Sequence, residues 1–324
     1  MEKITFFLNL LCCHEDKIKF THILWELVYI MEDLQCNSCQ ASNFGPTKRL
    51  DTLKKSRLVE YDTKYYDGTL AKLFDDKDYC LIRCQSCGHY QYTTNIPDDK
   101  LGLMYAKHAS FKLSQKSVKF SEGVNRVRKY AAPLLTHLKT RSPENPSLLD
   151  YGAGAGTWSK IALELGFDVT TYEPHAMRSD ESFDVLTDWK DVVAKNYDVI
   201  ICNQVMEHVK FPNEVASRFQ AVAKAKSLVY CAVPNAGAIS EKEIYDTWPY
   251  DGKRSHILAP FQHLNGFTQA SLVHCLLQHG FVAKPTDNFR WTPRGLKNLL
   301  ALMTKGAVPS LSTTSIIFRS SKKN

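Results

Sequence analysis

The second half of the chain alternates short apolar runs with stretches of helical period. Leu148–Tyr151, Phe167–Tyr172, Asp184–Thr187, Tyr197–Cys202 and Ser227–Val233 each read as a buried strand. Between them lie amphipathic segments: Ser159–Leu165 closed by Gly166, Pro212–Lys224 with proline at its start, and Thr268–His279 closed by Gly280. Phe281–Lys284 and Thr314–Arg319 supply two final strands, with a helix over Pro293–Met303 between them. Strands alternating with helices predict an α/β fold, a sheet covered on both faces. Further upstream, Phe120, Val124, Val127, Ala131, Leu134 and Leu138 form a helical stripe that Pro133 is expected to kink or split.

The first of these strands runs into glycines at 152, 154 and 156, with Asp150 two residues before the first, and then into a helix. An apolar strand, a glycine loop and a helix bring backbone close to a nucleotide. The spacing departs from the G-x-G-x-x-G of dinucleotide binders. Asp150-x-Gly152-x-Gly154-x-Gly156 resembles instead the first motif of the class I methyltransferases that use S-adenosylmethionine (SAM). Glu173 ends the second strand, where an acid accepts hydrogen bonds from ribose hydroxyls. The run Tyr197–Cys202 followed by Asn203-Gln204-Val205-Met206-Glu207-His208-Val209 is similar to the fourth motif of the same superfamily.

The resemblance implies a Rossmann-like, doubly wound, seven-stranded sheet with its last strand antiparallel, and SAM as cofactor. It places Gly152, Gly154 and Gly156 against the methionine part, with Asp150 organising its ammonium, Glu173 on the ribose and Asn203 beside the methyl. Asp188-Trp189 follows the third strand. It serves either to bind and stack the adenine or as a helix cap and a packed Trp.

A long loop, 235–267, holds His256, Pro260-Phe261-Gln262-His263-Leu264-Asn265 and Phe267. Loops of this length in compact domains are usually functional. This one resembles a His-containing acceptor-side motif of methyltransferases that act on small metabolites and sugars. His263 is the candidate base or acceptor ligand, because an imidazole titrates near neutrality. His208 is a second candidate base, with packing or helix capping as its plain alternative.

In the first hundred residues, Cys36-Asn37-Ser38-Cys39 and Cys84-Gln85-Ser86-Cys87-Gly88 are two thiolate knuckles, together offering the four sulfurs of a structural zinc site. Cys80 and His89 are possible substitute ligands. The intervening segment Thr52–Tyr79, with Tyr61, Tyr65-Tyr66 and Asp67-Gly68, is expected to loop out as a small β-hairpin. A four-cysteine module ahead of a SAM domain resembles the sugar C-methyltransferases of branched deoxysugars. Those enzymes carry a further large C-terminal domain to which this sequence does not extend, and they have Glu where Gln262 stands here. An amide takes no proton.

The chain has 324 residues, 44% of them hydrophobic, and a net charge of +7. No apolar run reaches the eighteen residues a membrane span needs, and ten cysteines are too few for a disulfide scaffold. A reducing, cytoplasmic setting is the expectation. Four regions are expected: an N-terminal extension over 1–30, with Met31 as a candidate true start; a zinc module over 31–98; a basic helical connector over 99–142; and the SAM domain over 143–324. The connector holds ten Lys or Arg and only Glu122 as acid between Lys100 and Arg141. Lys112, Lys116 and Lys119 form either a solvated face or a surface for a diphosphate, an anionic lipid or nucleic acid. Tyr105, His108 and Ser110 sit where the sugar-modifying enzymes place acceptor-covering residues.

The leading reading is SAM-dependent methyl transfer to a small, possibly phosphate-bearing acceptor, a nucleotide-linked sugar or polysaccharide precursor. RNA methylation with the zinc module and connector gripping phosphates is the second reading. A non-catalytic SAM- and zinc-binding protein is the third.

Overall fold

The computed structural model describes residues 34–45, 52–66, 68, 70, 81–93, 96–97, 99–102, 117–175, 184–240, 246, 255–283 and 313–322. The N-terminal extension, Cys80, Tyr105, His108, Ser110, Lys112, Lys116 and the expected helix over Pro293–Met303 lie outside these residues, as do the side chains of Lys119 and His256.

Ten strands are described: β1 (Leu81–Arg83), β2 (Tyr90–Tyr92), β3 (Ser147–Tyr151), β4 (Asp168–Tyr172), β5 (Val185–Leu186), β6 (Tyr197–Asn203), β7 (Ala223–Pro234), β8 (Asn265–Gly266), β9 (Phe281–Ala283) and β10 (Thr313–Ser320). The helices used below are α1 (Thr52–Tyr66), α2 (Ser117–Lys139), α3 (Thr157–Glu164), α4 (Trp189–Val192), α5 (Pro212–Val222) and α6 (Gln269–Leu277).

Seven strands form one sheet in the order β5-β4-β3-β6-β7-β10-β9. Strands β5, β4, β3, β6 and β7 are mutually parallel. β10 runs antiparallel to both of its neighbours, β7 and β9. Sequence order reverses between β3 and β6, and the crevice at such a switch point, outside the carboxyl ends of the strands, is where open α/β sheets bind ligands.

The strands of this sheet alternate between its two faces. Leu149, Tyr151, Ile200, Cys202, Val229, Cys231 and Phe318 pack with Val192 of α4, Phe219 of α5 and Leu276 of α6. Leu148, Val199, Ile201, Leu228 and Ile317 pack with Leu135 and Leu138 of α2 and with Trp158 and Ile161 of α3. A strand buried on both faces reads as a continuous apolar run, which is why the β3 and β6 segments are legible. At the amino ends, Asp198 stitches three strands together: its Oδ2 accepts from Ser147 N at 2.9 Å, Ser147 Oγ at 2.8 Å and Lys224 Nζ at 2.8 Å.

Local chemistry ends the helices as expected. Gly166 takes φ +76 after α3, and Thr268 and Ser271 form a reciprocal capping box at α6. Helix α2 spans Pro133 as one unsplit element. One expectation is corrected. Thr52–Tyr66 is a helix, not a hairpin arm: Leu58, Tyr61 and Asp62 fall on one face, and Asp62 Oδ2 accepts from Leu70 N at 2.8 Å.

The cysteine module is joined to the large sheet's domain by a second, three-stranded sheet, β1-β2-β8, in which β8 belongs to the 235–267 loop. Their shared core contains Leu58, Leu81, Tyr90, Tyr92 and Leu101 from one side and Ile257, Leu258, Phe261 and Leu264 from the other. Phe261 sits at φ +65, a strain of about 1–2 kcal/mol for a non-glycine residue. Burying four such apolar side chains, at about 1.5–3 kcal/mol each, more than offsets it.

Candidate active site

The glycine loop after β3 owes its path to three left-handed residues, with φ +69 at Gly152, +56 at Gly154 and +70 at Gly156. The N–H groups of Gly152 and Ala153 donate to Tyr172 O at 2.8 and 3.0 Å, holding the loop against the end of β4. A Cβ on Gly152 would lie 2.6 Å from Val205 Cγ2, so the loops after β3 and β6 touch across the switch point. Around Gly154 there is open space.

Glu173, just past β4, closes onto this loop: its Oε2 accepts from Gly154 N at 2.9 Å and its Oε1 from His175 N at 3.1 Å. Asp150 is buried in β3, and its Oδ2 accepts from Ser159 N at 3.0 Å and Ser159 Oγ at 2.7 Å. Burial pushes the Asp150 carboxyl up to about 6, against the pull of those two hydrogen bonds. Asp188 caps α4 by accepting from Lys190 N at 2.9 Å, and Trp189 packs edge-on against Tyr151 and Tyr172 with the Arg218 guanidinium over its ring. That is the cap-and-packing arrangement.

Asn203 ends β6, and Gln204 turns the chain at φ +58 while donating its N–H to Ala232 O at 2.8 Å. The turn that follows carries Glu207 and His208 towards the 235–267 loop. The rings of His208 and His263 meet edge to face, centroids 4.8 Å apart. Each ring is held through Nδ1: His208 donates to Gln262 O at 2.8 Å, and His263 to Ile257 O at 3.1 Å. Glu207 is 1% exposed, with no hydrogen-bond partner on either carboxylate oxygen. Its Oε1 lies 3.7 Å from His208 Nε2, too far for a hydrogen bond. Burial pushes the Glu207 carboxyl up to about 8. An unsatisfied buried polar group costs about 1–3 kcal/mol, so this one calls for an explanation.

The four cysteines predicted as ligands come together. Cys36 Sγ lies 3.6 Å from Cys87 Sγ, Cys39 Sγ lies 3.6 Å from Cys84 Sγ, and all four sulfurs fall within 4.8 Å of one another. The two knuckles have the same backbone pattern. Gln40 N donates to Cys36 O and Gly88 N to Cys84 O, at 2.9 Å each, and Gln40 and Gly88 are both left-handed at φ +61 and +74. His89 is not part of the group: its Nε2 donates to Asn265 Oδ1 at 3.0 Å. Tetrahedral zinc with sulfurs at about 2.3 Å separates them by about 3.8 Å, and the cluster fits that ion.

Of the connector's described basic residues, Arg128 pairs with Glu164, and Lys139 Nζ donates to Leu165 O at 2.6 Å and Gly166 O at 3.0 Å, capping the end of α3.

The family model of the methyltransferase domain matches residues 124–284. The protein is a SAM-dependent methyltransferase. The match begins within α2 and ends after β9, so it takes in the glycine loop, Glu173, Asn203, His208 and His263. Among solved structures, the fold is similar to 1,6-didemethyltoxoflavin-N1-methyltransferase of Burkholderia thailandensis, at 16% identity over 77% of this chain and 98% of that one, with a TM-score of 0.45. It is also similar to human N-acetylserotonin methyltransferase, at 15% identity over 70% of this chain and 61% of that one, TM-score 0.43. A third likeness is to a SAM-dependent methyltransferase of Mesorhizobium loti, at 14% identity over 57% and 96%, TM-score 0.38. No curated protein matches the chain.

Two features of this methyltransferase escaped the sequence reading. Glu207 was legible only as part of a motif; its place beside both histidines depends on how the 235–267 loop folds back. Asn265 was noted only as a neighbour of His263. It is the node between module and domain, accepting from Asn37 Nδ2 and His89 Nε2 while its Nδ2 donates to Val209 O at 2.6 Å. Its position two residues after His263 was the available signal.

Proposed function

We propose that this methyltransferase transfers the SAM methyl to a small metabolite, a nucleotide-linked sugar or polysaccharide precursor, held under the 235–267 loop. The contact between His208 and His263 carries the reading: it joins the segment after β6, where the methyl is expected, to the loop expected to meet the acceptor. Gly152, Gly154 and Gly156 would let backbone approach the methionine part, with Asp150 holding that loop's helix and facing the ammonium. Glu173 would exchange its bond to Gly154 for the ribose hydroxyls, Asp188 and Trp189 would lie at the adenine end, and Asn203 beside the methyl.

Methyl transfer is an in-line displacement on a sulfonium that is already a good leaving group. The protein's task is to align acceptor and methyl and to see the acceptor's proton removed. His263 is the residue on which that removal depends. The four cysteines Cys36, Cys39, Cys84 and Cys87 hold a structural zinc ion; with four protein sulfurs bound, no position on it is open to substrate.

The test is transfer of labelled methyl from SAM into a cell extract separated into small-molecule and RNA fractions. Label in the small-molecule fraction is the expected result. Label in RNA alone would overturn the choice of acceptor.

A further inference from the structure

We infer that Glu207, His208 and His263 form a binding site for a divalent transition cation, separate from the cysteine cluster, and that this cation holds the acceptor's hydroxyl oxygen. The inference rests on the reading that the 235–267 loop meets the acceptor.

Three observations point to it. One donor atom from each residue lies within 4.8 Å of the others, and the His208 Nε2 to Glu207 Oε1 separation is 3.7 Å. A metal with nitrogen and oxygen ligands at about 2.0–2.2 Å holds adjacent donors about 3.0–3.5 Å apart, so small side-chain rotations complete the site. The second observation is the carboxylate itself: it is buried to 1% exposure, and neither oxygen has a hydrogen-bond partner. A cation is what such a group lacks.

The third is the orientation of both rings. A carbonyl oxygen can only accept, so the bonds to Gln262 O and Ile257 O place the proton of each neutral imidazole on Nδ1 and the lone pair on Nε2. Backbone carbonyls that fix the tautomer in this way accompany metal-ligating histidines generally.

Two imidazoles and one carboxylate suit zinc, iron, cobalt or manganese and leave coordination positions open, in contrast to the closed set of four sulfurs. An acceptor hydroxyl bound there through oxygen has a lowered pKa, and its proton passes to solvent. The oxygen lone pair then forms the O–CH3 bond as the S–CH3 bond breaks, its electron pair staying on sulfur to give S-adenosylhomocysteine. His263 thus governs loss of the proton by holding the ion.

The probe is Co2+ added to the full-length protein carrying one zinc per chain, and followed by visible absorption, with SAM affinity measured in parallel. The expected result is one Co2+ per chain, with ligand-field bands and no sulfur-to-cobalt charge-transfer band. Glu207→Gln, which keeps the shape, and His208→Ala each weaken uptake at least about ten-fold without changing SAM affinity. No uptake, uptake showing the thiolate band alone, or uptake unchanged in both variants overturns the inference. Loss of SAM binding in the unmodified protein would instead strike at the methyltransferase reading, which Co2+ uptake does not test.

Discussion

Asn37, between Cys36 and Cys39, donates its side-chain amide to Oδ1 of Asn265 across 3.1 Å, although 228 positions separate them in the chain. The contact does not stand alone. Asn213 Nδ2 donates to Asn37 O at 2.6 Å, Ser38 Oγ to Ser271 O at 2.6 Å, Thr268 Oγ1 to Cys87 O at 3.0 Å, and Gln278 Nε2 to Cys39 O at 2.9 Å. The first knuckle is therefore stapled to α5, α6 and β8, and the second to the start of α6. What holds the cysteines in place also holds the loop that carries His263.

Removing the zinc proposed for the four cysteines is expected to lower the melting temperature by several degrees and to free the 235–267 loop. Limited proteolysis should then cut within that loop, and methyl transfer should fall more than SAM affinity does. Cys36→Ser should reproduce all three effects. Cleavage confined to other segments would show that the staples do not position the loop.

His263→Ala is expected to slow transfer about 10²–10⁴-fold and to leave SAM affinity within a factor of two. Single-turnover rates and calorimetric SAM binding separate the two quantities. A collapse of SAM binding would make the residue a support of the fold.

The glycines of the loop are not equivalent. Gly152→Ala meets Val205 Cγ2 at 2.6 Å besides adopting φ +69, so it should destabilise the protein by several kcal/mol. Gly154→Ala meets open space and adds only the left-handed penalty of about 1–2 kcal/mol, leaving a folded protein with weaker SAM binding. Thermal melts and SAM titrations of the pair would show the order reversed if the loop rearranges freely.

Asp150 gives a pH signature. Its folded carboxyl lies at about 6 against an ordinary 3.8, because burial disfavours the charge. Below pH 3.8 both folded and unfolded states hold the proton, and this group's stability is fully present. As pH rises from about 4 to 6 the unfolded state ionises first, and up to about 3 kcal/mol is lost. Asp150→Asn has no such loss, so its melting temperature should gain on that of the wild type over that window and level off above it. A bound SAM ammonium favours the carboxylate and should narrow the gap. A difference that does not vary with pH would show that Asp150 is not held in this way.

The β3 and β6 strands, the glycine spacing and the two cysteine pairs could be read directly, because each is written in neighbouring residues. Helix α1 was missed: the turn signal of Asp67-Gly68 beside Tyr65-Tyr66 led to a hairpin, whereas Leu58, Tyr61 and Asp62 share one face of a helix. At α2 the apolar stripe was legible, and packing of Leu134, Leu135 and Leu138 against the sheet accompanies a helix that is unsplit at Pro133.

The chain by itself determined a doubly wound sheet with a SAM-type loop and four metal-suited sulfurs, since local periodicity, turn chemistry and short spacings set those features. Only the tertiary structure decided that the cysteine module and the 235–267 loop share a sheet, and that Glu207 is buried beside two oriented imidazoles. Those arrangements arise from pairings between residues far apart in sequence. Burial of Phe261, Leu264 and their partners selects them, and no single segment encodes them.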